Sequence, residues 1–346
     1  MKSSLLMRNH RLQLCIWLVI LITTAVTFRE CEVPLKVAAV KTKLGKVRGV
    51  RKVLDVWMKQ FCVSAYLGVP FAQAPIGALR FASPLPAEPW KGTFNASTPA
   101  KSCYGSLDTT FGNFAGATMW NPKNEMSEDC LTLNMWVPSN PSGEVIVWVF
   151  GGGFYSGSPS LDLYEGSVLA ALHGVIVVNI NYRLGPFGFL YLGDQSHAKG
   201  NIGLLDQQMA LRWINQNIAS FGGDPRKVTL MGESAGSASV IAHLFAPGSH
   251  RYFKNIIAQS GTVLNSWAFR PVEEVLQTSV RFLKVVGCMQ AKQNLDESFR
   301  CLLKKTPMAI QMAADKMGSS VLIPPISSFS PIDVDSVFFM VIALND

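Results

Sequence analysis

A Gly-x-Ser-x-Gly segment, Gly232-Glu233-Ser234-Ala235-Gly236, constrains this chain more than any other feature. Lys227 to Met231 precede it and Ser237 to Phe245 follow it, so it reads as a strand, a tight turn and a helix. That is the context in which such a segment forms a nucleophile elbow and presents its serine, here Ser234. In the arrangement built around such elbows the partners follow the serine in the order acid, then histidine. Between Ser234 and Asp346 the only histidines are His243 and His250.

With 346 residues, 49% of them apolar and only 16% charged, the chain can bury one large core or two modest ones, and its composition excludes general disorder. Residues 1–28 read separately, as a secretory signal peptide. Lys2, Arg8 and Arg11 precede an apolar run from Leu14 to Phe28 that is too short and too interrupted by Thr to span a bilayer comfortably. The location expected is therefore secreted or extracellular, a cell surface included.

Removal of Cys15 with that segment leaves cysteines 31, 62, 103, 130, 288 and 301, an even number suited to an oxidising compartment and open to fifteen connectivities. Cys103 with Cys130, and Cys288 with Cys301, would each close a short loop, while Cys31 and Cys62 either pair or stay free. No Cys-x-x-Cys pair or His/Cys cluster has metal-ligand spacing, so neither a metal nor a cofactor is expected. Asn95-Ala96-Ser97 is an N-glycosylation sequon that agrees with secretion. The net charge of +8 is concentrated between Lys36 and Lys59, where basic residues interleave with Val, Leu and Gly. That is the pattern of hairpin strands with one solvated face, and without any nucleic-acid-binding motif it argues against a nucleic-acid partner.

Val145 to Phe150, Val175 to Ile180, Val228 to Met231 and Asn255 to Gln259 are apolar runs rich in β-branched residues, the signature of buried parallel strands. Between the second and third, Leu205, Met209 and Trp213 recur every four residues within Leu204 to Ala219, and Gly222-Gly223-Asp224-Pro225 closes the pattern. This predicts an amphipathic helix. Strands alternating with helices imply an α/β fold with a mostly parallel central sheet and helices on both faces, with residues 35–346 as one domain. A different doubly wound fold with an accidental elbow is the plainer alternative. Gly151-Gly152-Gly153 counts against it, since a glycine run after a strand lets backbone N–H groups face a cavity. Gly152 and Gly153, with Ala235, are the expected donors to an oxyanion formed when Ser234 attacks an ester carbonyl; the bland reading of the run is a tight turn.

Several motifs in order resemble the type-B carboxylesterases, and within them the cholinesterases. These are Tyr66 to Ala72 with Leu79-Arg80-Phe81, Glu128 to Asn134, Gly151 to Gly157 and Gly200 to Gln207, and the likeness runs from about residue 40 to about residue 335. It implies an α/β-hydrolase fold and hydrolysis of choline or other small carboxylic esters through an acyl-serine intermediate. Met119-Trp120-Asn121-Pro122 and Met126 to Cys130 are similar to the choline-binding loop of acetylcholinesterases, closed there by the pair corresponding to Cys103 and Cys130. An indole face suits a quaternary ammonium, which has no hydrogen bond to donate. The resemblance assigns substrate binding to Trp120, Glu233, Tyr155, Tyr164 and Trp267. It also puts Asp108 at the entrance, with Ser106 in place of a rim tyrosine. Trp120 as a cap on the core and Glu233 as filler are the bland readings. Pro325 to Phe329 lack the two phenylalanines that restrict acyl size in vertebrate relatives, which leaves acetyl selectivity open.

The base is the difficulty. His243 lies nine residues beyond Ser234 on the following helix, about two and a half turns and about 13 Å along the axis, facing away. His250 precedes the next strand, at the end of the sheet away from the elbow. His173 and His197 precede the elbow, and His10 belongs to the leader. The resemblance ends at Phe339, before the family's acid and histidine, and implies a chain truncated within the domain, with homo-oligomer formation through the C-terminal region in full-length relatives. Loss of the base costs on the order of 10⁶ in turnover, so the chain alone is expected to be inactive. A non-catalytic adhesion or ligand-binding protein of the same fold, or an unstable product, are the alternatives. Val337 to Leu344 is expected to aggregate if exposed.

Overall fold

The computed structural model describes residues 37–57, 59–290, 294–318 and 329–340. The expected leader, Cys31 and most of the Pro325 to Phe329 segment lie outside them. The described strands are β1 (Val40–Lys41), β2 (Lys46–Arg48), β3 (Val50–Val56), β4 (Lys59–Pro70), β5 (Thr93–Asn95), β6 (Thr132–Pro138), β7 (Val145–Val149), β8 (Ile176–Ile180), β9 (Val228–Glu233) and β10 (Asn255–Gln259). The helices are α1 (Ala115–Thr118), α2 (Ser167–His173), α3 (Gly185–Phe189), α4 (Ile202–Asn217), α5 (Ala235–Phe245), α6 (Val272–Val285), α7 (Leu295–Leu303) and α8 (Pro307–Gly318).

The large sheet has the order β10-β9-β7-β8-β6-β4-β3, and β1-β2-β5 form a small second sheet. The α/β class holds, but the sheet is mixed where a mostly parallel one was expected. β10, β9, β7 and β8 run parallel, whereas β8-β6, β6-β4 and β4-β3 pair antiparallel. For the β3–β4 pair the physical reason is connection length. β3 and β4 are joined by a tight turn around Trp57, which permits only antiparallel pairing, while the parallel strands are separated by helices long enough to cross over.

Period-two alternation sends the two faces of the sheet into separate cores. Val63, Ala65, Leu67, Trp136 and Val177 pack with Ala170 of α2 on one side. Tyr66, Leu133, Met135 and Val178 face the larger core, which also takes Leu204, Leu211 and Ile214 of α4. Helix α4 is less amphipathic than its four-residue repeat predicts. Leu205 and Met209 are only half-buried, while the polar Asp206, Gln207 and Asn217 are buried.

Those buried polar groups are all matched. Arg183, just beyond β8, holds Asp206 of α4 with two parallel bonds, Nε to Oδ2 at 2.8 Å and Nη2 to Oδ1 at 2.6 Å, and its backbone N–H adds a third at 3.0 Å. Burial pushes the Asp206 carboxyl up, against the pull of the Arg183 guanidinium. Arg80 grips Glu128 in the same forked way and donates to the carbonyls of Leu303 and Lys305 at the end of α7. Asn134 accepts from the N–H groups of Gly68 and Ala100. Asn201, with φ 52°, exchanges bonds with the backbone of Ile332 and reaches the Asp335 carboxylate.

Asp335 in turn accepts from the N–H groups of Val337, Phe338 and Phe339. This turn folds Phe338 fully into the core against His243, ring centroids 5.2 Å apart. The first residues of the segment expected to aggregate are therefore packed as far as Phe339, because a buried acid ends the chain's extension there; residues 341–346 lie outside those described. Disulfides join Cys103 to Cys130 and Cys288 to Cys301, and Cys62 is disulfide-bonded as well. Among the described residues no helix is long and apolar enough to cross a membrane.

Replacing Asp206 by Asn leaves a buried guanidinium without its counter-charge. The expected outcome is a loss of about 3–5 kcal/mol in folding stability, read from chemical denaturation.

Candidate active site

The elbow lies where β7, β9 and β10 end side by side. Val149 is the register partner of Gly232, and Gln259 that of Glu233. Ser234 has φ 55° and ψ −119°, a backbone conformation that L residues rarely adopt, and it immediately precedes α5. Its two flanking glycines are forced by contact. A Cβ on Gly236 would sit 2.0 Å from the Val149 carbonyl oxygen, and one on Gly232 would sit 2.3 Å from the Gly236 oxygen. The turn is thus driven against the end of β7 more closely than any side chain permits.

The glycine run closes the other side. A Cβ on Gly151 would lie 2.5 Å from the Glu233 oxygen and 3.0 Å from Ser234 Cβ, so this loop abuts the serine directly. Gly152 and Gly153 have φ of 112° and 58°. Among the described residues, the backbone N–H groups of Gly152, Gly153 and Ala235 donate to no protein acceptor. That of Ala235 is one of the orphan donors at the start of α5. Ser234 and the neighbouring Gly152 and Gly153 are all partly open to solvent. A half-exposed hydroxyl beside unspent N–H donors is an arrangement that can take up a carbonyl compound and hold negative charge on its oxygen.

Sequence reasoning missed part of the support. The Ser234 N–H donates to the Gln259 carbonyl at 2.8 Å, and the buried Ser237 hydroxyl donates to the Gly261 carbonyl at 2.6 Å. A Cβ on Gly261 would lie 2.4 Å from the Ser234 oxygen. The exit from β10 thus clamps the elbow from behind. The only linear signal for it is the Ser260-Gly261 pair at the end of an apolar strand.

Of the residues expected to bind substrate, Glu233 and Tyr164 come together. Burial raises the Tyr164 phenol to about 12, with the Glu233 charge adding to it, and burial alone raises Glu233. The Tyr164 ring packs on Trp148 at 5.2 Å. Tyr155 and Asp108 are also neighbours, since the Tyr155 phenol is raised first by burial and then by the Asp108 charge. Trp267 is half-buried against the core. Trp120 is 49% exposed, so it does not cap the core. Asn121 anchors its loop, accepting from the Asp108 N–H at 2.8 Å and donating to the Asp108 carbonyl at 2.7 Å. Ser106, at the same rim, donates to Asp315. Asn95 is exposed on β5.

None of the four described histidines is bonded to Ser234. Both ring nitrogens of His243 are engaged, Nδ1 with Ser249 Oγ at 2.8 Å and Nε2 with Gln207 Oε1 at 3.1 Å. Complete burial drives its pKa down to about 3, so it stays neutral and structural. His250 Nε2 donates to the Leu244 carbonyl, His197 stacks near Phe299, and His173 is exposed at the end of α2. Among the described residues no group of three or more His, Cys, Asp or Glu is placed to hold a metal.

The model of the Carboxylesterase family matches residues 36–343. Acetylcholinesterase 4 of Caenorhabditis briggsae is 48% identical over 274 residues, 79% of this chain and 44% of that protein. Cholinesterase of Mus musculus is 44% identical over 273 residues, 78% of this chain and 44% of its own length. Acetylcholinesterase of Electrophorus electricus is 42% identical over 308 residues, 87% and 47% respectively. The chain thus spans less than half the length of these relatives.

Gly236→Ala is expected to cost at least about 3 kcal/mol or to abolish soluble expression, because the obstacle is backbone; thermal denaturation measures it. His243 gives a pH dependence. Its folded pKa lies below the ordinary value of 6.5, so the unfolded chain binds the extra proton and stability is lost as pH falls from about 6.5 towards 3. Urea midpoints across that range are expected to fall less steeply in His243→Gln.

Proposed function

Since the chain belongs to the carboxylesterase family, whose members are ester hydrolases of the α/β-hydrolase fold, we propose that Ser234 is its nucleophile and choline esters its substrates. The observation that carries this reading is the strained serine beside three unspent N–H donors, those of Gly152, Gly153 and Ala235. Attack of Ser234 Oγ on the ester carbonyl forms a bond to carbon and moves a pair of electrons onto the oxygen, where the donors hold it. Collapse re-forms the carbonyl and breaks the bond to the choline oxygen, which takes up the proton that Ser234 gave to its base, leaving an acyl-serine that water then hydrolyses.

Trp120 receives the quaternary ammonium on its exposed indole face, and Glu233 with Tyr164 supplies a carboxylate and an aromatic wall nearer the serine. Tyr155 and Trp267 complete the walls. The similarity to proteins named as cholinesterases supports this choice of substrate. We read residues 1–28 as a secretory leader, residues 35–346 as a single domain and Asn95, exposed on β5, as a glycan site.

The proton of Ser234 needs a base, and the described histidines do not supply one. We therefore propose that the 346-residue chain does not turn over esters by itself. A second reading, binding of a quaternary ammonium without hydrolysis, is favoured by the engagement of both His243 nitrogens away from Ser234.

Thiocholine release and ligand binding decide between them. The 346-residue chain is expected to bind tetramethylammonium without releasing thiocholine, and any longer form that brings a histidine to Ser234 is expected to hydrolyse, with loss of activity in Ser234→Ala. Turnover by the short chain abolished by that substitution would falsify the inactivity proposal; binding without turnover in every form favours the second reading. Trp120→Ala is expected to weaken tetramethylammonium by about 5–30-fold, the equivalent of about 1–2 kcal/mol.

A further inference from the structure

The small sheet β1-β2-β5 carries an unneutralised array of cations on its outer face. Val40, Val47 and Phe94 point into the core. Lys41, Lys46, Arg48, Thr93 and Asn95 alternate with them and are exposed. Register sets Lys41 directly opposite Lys46, Lys46 opposite Thr93 and Arg48 opposite Asn95. Two lysines facing each other across a strand pair repel, a cost to the sheet. Among the described residues, none of Lys41, Lys43, Lys46, Arg48 and Lys91 forms an ion pair with a carboxylate. Lys43 and Lys91 stand exposed in the adjoining turns, and a shallow basin of about 400 Å³ is lined by Lys41, Lys43, Lys46 and Thr93 among others.

The backbone that presents these charges is held firmly. The Lys43 N–H donates to the buried Asn217 side chain at 2.9 Å, which ties the hairpin to α4. Trp90 Nε1 donates to the Lys46 carbonyl at 2.9 Å and lies against Gly45 so closely that a Cβ there would meet it at 2.4 Å. The cations are therefore spaced by the sheet itself, about 4.8 Å between strands and about 6.8 Å between alternate residues.

We propose that this face docks a sulfated polysaccharide, with successive sulfate and carboxylate groups across Lys41, Lys46 and Arg48 and sugar hydroxyls meeting Thr93. The absence of exposed large apolar side chains between residues 37 and 48 and between 90 and 95 gives a membrane nothing to insert. Trp90, half-buried and packed against Phe94, offers no open face for a nucleic-acid base to stack on. A flexible polyanion that needs only charge and hydroxyl contacts suits what remains.

The test is the affinity of the intact protein, with Asn95 unsubstituted, for a heparin oligosaccharide. Lys41→Ser/Lys46→Ser/Arg48→Ser is expected to weaken binding at least about tenfold and to lower the slope of log affinity against log salt by about two. Arg281→Ser/Lys284→Ser/Arg300→Ser removes equal charge from exposed positions on α6 and α7 and is expected to change affinity less than about twofold. Equal losses in the two triples, or no preference for the sulfated over the desulfated oligosaccharide, overturn the proposal. Phosphatidylserine vesicles or a single-stranded oligonucleotide binding this face as tightly as heparin overturn the choice of partner. Lys46→Glu places an acid opposite Lys41 and is expected to raise Tm while weakening heparin binding; unchanged binding in that folded variant also sinks the idea.

Discussion

The approach of the Gly236 backbone to the end of β7 governs the geometry of everything around Ser234. With no side chain at Gly232 or Gly236, the turn after β9 lies directly on the Val149 and Phe150 carbonyls. Gly151 then meets Ser234 from the front and Gly261 from behind. A positive φ at a serine costs energy in isolation, and it persists here because neighbours on three sides leave no alternative. The same nesting sets the start of the glycine run, at Gly151, directly against Ser234. The geometry of the elbow is thus set chiefly by backbone packing between β7, β9, β10 and α5, with the Ser237 hydroxyl bonded to the Gly261 carbonyl behind it.

Holding those elements in place falls to buried polar pairs that link distant parts of the chain. Arg183 with Asp206 fixes the exit of β8 to α4, and Arg80 with Glu128 fixes the disulfide-closed loop to the end of α7. Asn201 and Asp335 draw residues 329–340 under the helices. Each such group is costly to bury alone and tolerable only when all its partners are present, so the set enforces one arrangement over near alternatives. The family-like stretches at Leu79 to Phe81, Glu128 to Asn134 and Gly200 to Gln207 contain Arg80, Glu128, Asn201 and Asp206. Their role is therefore structural, and it is distinct from the chemistry that the elbow motif announces.

His243 illustrates how position decides the meaning of a residue. A histidine nine residues past the serine looks at first like a candidate base, but the helix carries it into the core, where Ser249 and Gln207 hold both nitrogens. Burial keeps it neutral far below ordinary pH. It contributes to packing against Phe338 and to acid sensitivity, with neither ring nitrogen bonded to Ser234.

Much of this was legible in the linear sequence. The elbow, the glycine run, the positions of the four apolar strands and the α4 helix follow from local rules, because steric demands on glycine and apolar patterning are written along the chain. β10, expected to be buried like the other three, is instead an edge strand with four of its five residues exposed, since no strand pairs with its outer side among the described residues. The facing-away of His243 followed from helical geometry alone. What the sequence left open depended on contacts between segments far apart: the antiparallel half of the sheet, the clamp from Gln259 and Gly261, the pairing of Glu233 with Tyr164, and the exposure of Trp120. The alternating lysines of β1 and β2 read only as a solvated strand face until register set Lys41 against Lys46. Linear order determines which conformations each segment can adopt. Only tertiary packing determines which segments meet, since that choice is made by long-range burial and hydrogen-bond matching.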